Sequence, residues 1–477
     1  MKPLFNVLLP ITLIVSSQFS ANSKALLPYE YIGYKQQKVN AQMGTFKVPE
    51  NRNNPNSREL TLTYVKFPTT SKTPGKPIVY LSGGPGGSAT GTAKRSRFEL
   101  FNKLRAASDV ILFDQRGTGL SNDLKSCKAT SFDLKIPSVE KELMTQTISD
   151  VKTCVTQWQN QNIDLDGYNT KQNAADLVDL AKTLNTDKIN LWGISYGSHL
   201  AFTAAKYHPE IINQMVLASL EGLDHTIKQP ARVQTLIEKV SLMLKTNPDT
   251  KDRYPNFLAD LTHVLKNLET SPQVINTHDF RTKKPLIVGI GKIDMQFALS
   301  FIFLMDPKYL IQLPRIIADM KNNQFTEIAS YIAYIKGMSA EHTPMSLAMD
   351  AASGISNERW SQVQKQAKTA LVGRTTNFPF PDINAVLPVT DLGDDFRQEL
   401  HSDIPTLFVS GTLDGRTLYQ SQVELAANFT NANMITVEGG GHNVFMTSPE
   451  ISERVLEFFK GQRVQSHTIT LDPIKFQ

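Results

Sequence analysis

Six short strand-like runs, several of them ending at turn residues, limit more than any other feature what this chain can fold into. They occupy residues 77–81, 109–113, 189–192, 215–218, 405–409 and 433–437, and the first leads straight into Gly83-Gly84-Pro85-Gly86-Gly87. Runs of this length, nearly all apolar and bounded by turns, fit strands buried on both faces, as in a parallel sheet covered by crossover helices. Helical periods lie between several of them. Residues 173–184 place Ala174, Leu177, Val178, Ala181 and Leu184 on one stripe. Residues 449–459 read as a closing helix with Ile451, Val455, Phe458 and Phe459 inward. Residues 44–48 and 60–67 read as an antiparallel pair of edge strands. The order is that of an α/β protein with a mostly parallel central sheet and flanking helices.

One interval breaks the pattern. About 185 residues separate the run ending near Ser219 from the one starting near Ile404. The stretch is mostly helical in period, over 233–244, 257–268, 295–304, 309–321, 325–335 and 358–371. A loop of that length without structure of its own is not expected inside a domain. It reads instead as a helical cap inserted between two strands of one core, and the lack of a fixed period argues against a solenoid. The 477 residues then divide into a leader (1–25), a first core part (26–220), the cap (221–387) and a second core part (388–477).

The leader has the layout of a secretory signal peptide: Lys2, an apolar stretch over 4–15 broken by Asn6 and Thr12, then small polar residues to Ala25. It is too short for a comfortable membrane span, and cleavage after Ser23 or Ala25 fits the spacing of small residues. The expected protein is exported, periplasmic or extracellular, with no stable membrane insertion once the signal is removed. Lys and Arg (50) exceed Asp and Glu (45) by only five and are scattered, which gives no support to nucleic-acid binding. Two cysteines cannot make a four-cysteine zinc site, and no metal or organic cofactor is implied. In an oxidising compartment Cys127 and Cys154 read as a disulfide, with two buried free thiols as the alternative. The sequence leaves the oligomeric state open.

The chemistry converges on three residues. Gly193-Ile194-Ser195-Tyr196-Gly197 lies between a strand and the alanine-rich helical stretch 200–206, the context of a nucleophile elbow. Such a turn lifts the Ser195 hydroxyl above the sheet in front of a helix N-terminus. A hydroxyl needs a base, and all nine histidines follow Ser195 in the chain. His442 stands out because it follows a strand through Gly439-Gly440-Gly441 and so reaches the carboxyl edge of the sheet. His199, one turn past Ser195, reads as packed. Asp414, in the turn after another strand, is the acid that would orient His442, with Glu221 and Asp224 as rivals. Asp114 reads as a brace, through Arg116 or backbone contacts. Oxyanion donors would be the N–H groups of Tyr196 and Gly84, with Gly83 as the alternative to Gly84. The glycine loop lacks the lysine and spacing of a phosphate-binding loop.

Gly83-Gly84-Pro85-Gly86, Asp114-Gln115-Arg116-Gly117-Thr118-Gly119, Gly193-x-Ser195-x-Gly197, Gly411-Thr412-Leu413-Asp414 and Gly441-His442 occur in this order. Together they resemble the proline iminopeptidase and tripeptidyl aminopeptidase branch of the α/β-hydrolases, over most of the mature chain. Residues 389–397 resemble the C-terminal part of the tripeptidyl aminopeptidases. The resemblance implies an α/β-hydrolase fold and an exopeptidase that takes peptides from a free N-terminus. Ser195, Asp414 and His442 would form its catalytic triad. Such an enzyme needs a carboxylate for the substrate ammonium. Glu221 is the first candidate and Asp224 the second, and both could equally be engaged in salt bridges. Ser82 precedes the glycine loop where proline iminopeptidases commonly carry His, which leaves strict proline specificity open. Two other readings stand beside the peptidase: an exported carboxylesterase with the same triad, and a non-catalytic binding protein on a hydrolase scaffold. The intact Ser–Asp–His set argues against the second.

Overall fold

A computed structural model describes residues 26–477 except 122–123, 125, 131, 280–281 and 339–340, so the expected signal segment 1–25 lies outside the described residues. The first strands are β1 (Leu27–Ile32), β2 (Lys38–Pro49), β3 (Glu59–Phe67), β4 (Ile78–Leu81), β5 (Val110–Asp114) and β6 (Cys127–Lys128). They are followed by β7 (Ile189–Ser195), β8 (Ile212–Leu220), β9 (Gln273–His278), β10 (Pro285–Ile290) and β11 (Glu341–His342). The chain closes with β12 (Thr406–Gly411), β13 (Ala432–Glu438) and β14 (His467–Thr470). Ten of them form one sheet in the order β1-β2-β3-β5-β4-β7-β8-β12-β13-β14. Pairings from β5 through β14 are parallel, whereas β1, β2, β3 and β5 pair antiparallel in turn.

Alternation along the central strands builds the two faces. In β4, Val79 and Leu81 join one apolar cluster while Ile78 and Tyr80 join the other. Leu191 and Trp192 of β7 divide the same way. Because both faces are covered, these strands show unbroken burial. That is why they stand out in the sequence as continuous apolar runs. β2 and β3 do pair antiparallel, with Gly44 opposite Tyr64, but they are not the edge. β1 adds outside them, and its burial is so slight, with Tyr31 its only buried residue, that no period marks it. β14 closes the other edge, so His467 belongs to a strand and not to a loose tail.

Between β8 and β12 the chain builds helices at Pro230–Thr246, Phe257–Thr270, Lys292–Ala298, Leu313–Lys321, Thr326–Met338, Pro344–Ser353 and Asn357–Ala367. The first five share an apolar cluster that includes Val233, Leu261, Phe303 and Ile317 and takes in Leu413 and Leu418 from the β12 side, whereas Met345, Leu347 and Met349 of Pro344–Ser353 join the core cluster that also holds Leu81 and Tyr196. Two elements differ from the sequence reading. β9 and β10 form a hairpin, Gln273 opposite Ile290, in a region without helical period. The helix Pro344–Ser353 is buried on nearly every side, so it carries no amphipathic stripe to reveal it. Among the described residues no helix is long and apolar enough to cross a membrane.

Cys127 and Cys154 are joined in a disulfide with their Cα atoms 5.5 Å apart. It ties β6 to the helix Glu140–Gln159. β6 also pairs with β11, Cys127 opposite His342, so the link steadies the approach to the helix Pro344–Ser353. Replacing both cysteines by serine should lower the unfolding free energy by about 3 kcal/mol on the chain-entropy account. Denaturant titration measures this, and unchanged stability would contradict it.

Candidate active site

β7 ends at Ser195 and the helix Tyr196–Tyr207 begins at the next residue. The reversal is accomplished at Ser195 itself, which sits at φ 57°, ψ −128°. A side-chain-bearing residue held there costs about 1–3 kcal/mol and persists only where its surroundings over-determine it. They do so by close backbone approach. A Cβ on Gly197 would collide with the Leu81 carbonyl of β4, and one on Gly193 would lie 2.7 Å from the Gly197 carbonyl oxygen. The glycine loop closes the other side: a Cβ on Gly83 would meet Ile194 O at 2.8 Å and Ser195 Cβ at 3.1 Å. Gly84 follows at φ 135°. Tyr196 and the Gly83–Gly84 pair, the expected oxyanion donors, therefore flank Ser195 in the chain and across from it.

Asp114 holds the end of that loop. It accepts from Ser88 Oγ (3.0 Å), Thr90 N (3.0 Å) and Leu120 N (2.8 Å). Arg116 takes no part in this, being committed to Asp176, 2.7 Å to each oxygen. The brace expected of Asp114 thus runs through Ser88, Thr90 and backbone, not through Arg116.

Asp414 follows β12 and is buried. It accepts from His442 Nδ1, 3.0 Å from each oxygen, and from Arg416 N and Thr417 N at 2.8 Å and Thr417 Oγ1 at 2.7 Å. Burial alone would push this carboxyl up. The facing His442 ring and the Thr417 donors outweigh it and hold Asp414 below the usual range. With Nδ1 engaged, Nε2 of His442 is left to act as a base. The two halves of the site meet across β8. Ser195 pairs in register with Leu220, and the neighbouring Ser219 hydroxyl donates to the His442 carbonyl at 2.8 Å.

The inserted segment presses on these loops. The His442 N–H donates to the Met305 carbonyl at 3.1 Å, and Gly415 and Gly441 have no room for a Cβ against Leu304 and Pro307. Beside the acid loop, the Arg416 guanidinium lies 5.3 Å from the Phe301 ring centre. Phe301, Phe297, Phe378 and Leu347 line a cavity of about 270 Å³.

Neither expected amine-binding carboxylate is free. Glu221 is buried and paired with Lys228 Nζ at 2.6 Å. Burial pushes its carboxyl up, but Lys228 and His199 more than offset this and hold it below the usual range. Asp224 takes up Ser356 N (2.9 Å) and Oγ (2.6 Å), at the cap of the helix Asn357–Ala367. His199 is packed as anticipated, with Nδ1 3.0 Å from the Gly222 carbonyl and Nε2 3.1 Å from Ser353 Oγ. Lys228, Met305 and Asp350 were not singled out from sequence. The Thr343-Pro344 pair, a cap followed by proline at the first helical position, was the available signal for the helix that carries Asp350.

The family described as alpha/beta hydrolase fold matches residues 76–265, and the family described as TAP-like protein matches residues 385–468. The chain is an α/β-hydrolase. It is similar to a "Probable proline iminopeptidase" of Streptomyces coelicolor, 27% identical over 33% of this chain and 36% of that protein. The aligned region spans about a third of the length of the curated relatives it matches. Among solved structures, a proline iminopeptidase-related protein from Thermus thermophilus is 15% identical. The match covers 88% of this chain and 96% of that one, with a TM-score of 0.39. A thermophilic esterase from Thermogutta terrifontis is also 15% identical, covering 87% and 98%, with a TM-score of 0.34.

In this hydrolase the Glu221–Lys228 pair is a buried ion pair, so breaking it should cost far more than removing it whole. Lys228→Met should destabilise by about 3–5 kcal/mol, and Glu221→Gln added to it should restore much of the loss. Because Glu221 is held low, the stabilisation is full above the ordinary glutamate pKa and is lost as pH falls through the lower folded value. Denaturant midpoints of the two variants measure this; equal stability of both would contradict it.

Proposed function

We propose that this hydrolase is an exported serine exopeptidase that cleaves peptides from a free N-terminus through an acyl-enzyme. The observation that carries the reading is a strained, glycine-enclosed Ser195 at the same sheet edge as a buried, multiply donated Asp414 bonded to His442, the two halves linked through β8. Ser195 Oγ attacks the scissile carbonyl while His442 Nε2 takes its proton. The Tyr196 and Gly84 N–H groups, with Gly83 as the alternative to Gly84, receive the oxyanion. His442 then protonates the leaving amine, and water, activated by the same ring, hydrolyses the ester on Ser195. Asp414 fixes the tautomer and stabilises the imidazolium.

Residues 221–387 act as a cap in this reading, supported by the separate apolar cluster built mainly by residues 233–333 and by the contact of Met305 with the His442 loop. The apolar cavity beside Phe301 would take an uncharged side chain of the peptide. Export is supported by the disulfide, which suits an oxidising compartment.

Ser195→Ala should abolish turnover with the fold intact, and Asp414→Asn should lower kcat by about 10⁴. Wild-type enzyme should release products from aminoacyl or tripeptidyl amides and lose activity when the amine is blocked, with masses of the released pieces giving their length. Equal or better activity on simple acyl esters would favour a carboxylesterase instead.

A further inference from the structure

The chain enters the inserted segment past a second cavity, of about 200 Å³, whose lining includes none of Ser195, Asp414 and His442. Gly222, Leu223, Asp224 and His225, just after β8, contribute one part of it and Arg359 of the helix Asn357–Ala367 another. Residues from 397–400, ahead of β12, and from 424–429 complete it. Part of the lining is apolar: Phe202, Leu223 and Phe429 are buried members of one core cluster, with Leu400 and Leu425 packed against it. An apolar cavity of about 150 Å³ takes up benzene, so this one has room for a small molecule with a branched aliphatic group.

Most charged groups of this lining are partnered. Arg397 donates to Asp391 (2.8 Å), Asp394 (3.0 Å) and the Ser353 carbonyl (3.0 Å). Glu424 is held by Arg232 through both oxygens, at 2.9 and 2.7 Å, and Asp224 accepts from Ser356 N and Oγ. Arg359 differs. Its Nε and Nη2 share a single acceptor, the Ile227 carbonyl at 3.2 Å, and among the described residues its Nη1 has no acceptor. Burial lowers its guanidinium to about 10, and Asp224, which favours the charge, forms no ion pair with it. Glu399 is exposed and has no hydrogen bond or ion pair among the described residues. His225 adds no charge. Burial first, and then the Arg359, Lys228 and Arg232 cations, hold its imidazole well below the usual range. The cavity thus combines one unpaired cation, one unpaired carboxylate and an apolar wall, the complement of a free α-amino acid.

We propose that this cavity is a binding site for a free amino acid in its zwitterionic form. Arg359 receives the α-carboxylate, Glu399 the α-ammonium group, and the surface of Phe202, Leu223 and Phe429 a branched aliphatic side chain. One hydrogen bond connects the site to the helix that follows Ser195: the Gly222 carbonyl lies 3.0 Å from His199 Nδ1. On the exopeptidase reading such a ligand is a product of the enzyme, but the assignment rests on the cavity and stands apart from that reading.

Titration calorimetry of the whole protein with L-leucine tests the assignment. Wild type and Ser195→Ala should bind leucine alike, with saturation at millimolar concentration or below. Leucinamide and N-acetylleucine, each lacking one of the two charges, should bind on the order of tenfold or more weaker. Arg359→Gln and Glu399→Gln should each weaken leucine binding by a similar factor. Glu399 is exposed, so its substitution leaves the fold intact and keeps the test decisive if Arg359→Gln fails to fold. Three results would overturn the assignment: no saturable binding at millimolar leucine, leucinamide or N-acetylleucine binding as tightly as leucine, or leucine binding unchanged by Glu399→Gln, which would place the ligand elsewhere.

Discussion

The arrangement at the carboxyl edge of the sheet depends on one strained backbone, that of Ser195, being locked by neighbours without side chains. Three stretches of main chain (the end of β4, the glycine loop after it and the start of the helix behind β7) approach Ser195 closely. Gly193, Gly197 and Gly83 are the positions where a Cβ would force one of them away. The strain of about 1–3 kcal/mol is small beside the burial of β4, β7 and β8, whose residues are almost all inaccessible. Rigidity around the turn is thus a by-product of the core beneath it.

The second half of the site is assembled by topology. The chain leaves the sheet after β8 and returns as β12, which pairs directly with β8, so the long insertion leaves the order of strands intact. β8 runs parallel to β7, so the insertion departs beside Ser195. Its Leu304–Pro307 turn comes down on the loops carrying Asp414 and His442, where Gly415 and Gly441 make room for it. Fold and candidate chemistry meet at these few backbone contacts. Changes in the inserted helices can therefore be felt at His442 without touching the sheet.

Much of this was legible in the sequence, for physical reasons that differ from element to element. The central strands announce themselves because burial on both faces removes nearly every polar residue. Ser195, Asp414 and His442 are legible because each follows a strand through glycine. β1 and the helix Pro344–Ser353 were missed for opposite reasons: one is too exposed to show a period, the other too buried. Charge pairing was the least legible. Glu221 looks free in sequence because nothing local reveals that Lys228, seven residues on, folds back onto it. Asp350 looks like one polar residue in an apolar stretch, and only the packed helix shows that it lacks a partner among the described residues.

The central claim is that Ser195 is the nucleophile, and covalent labelling tests it most directly. Incubation with a serine-reactive phosphonate followed by peptide mass mapping should place a single adduct on Ser195, in proportion to the activity lost. An adduct on another residue, or full hydrolytic activity with Ser195 completely labelled, would contradict the account.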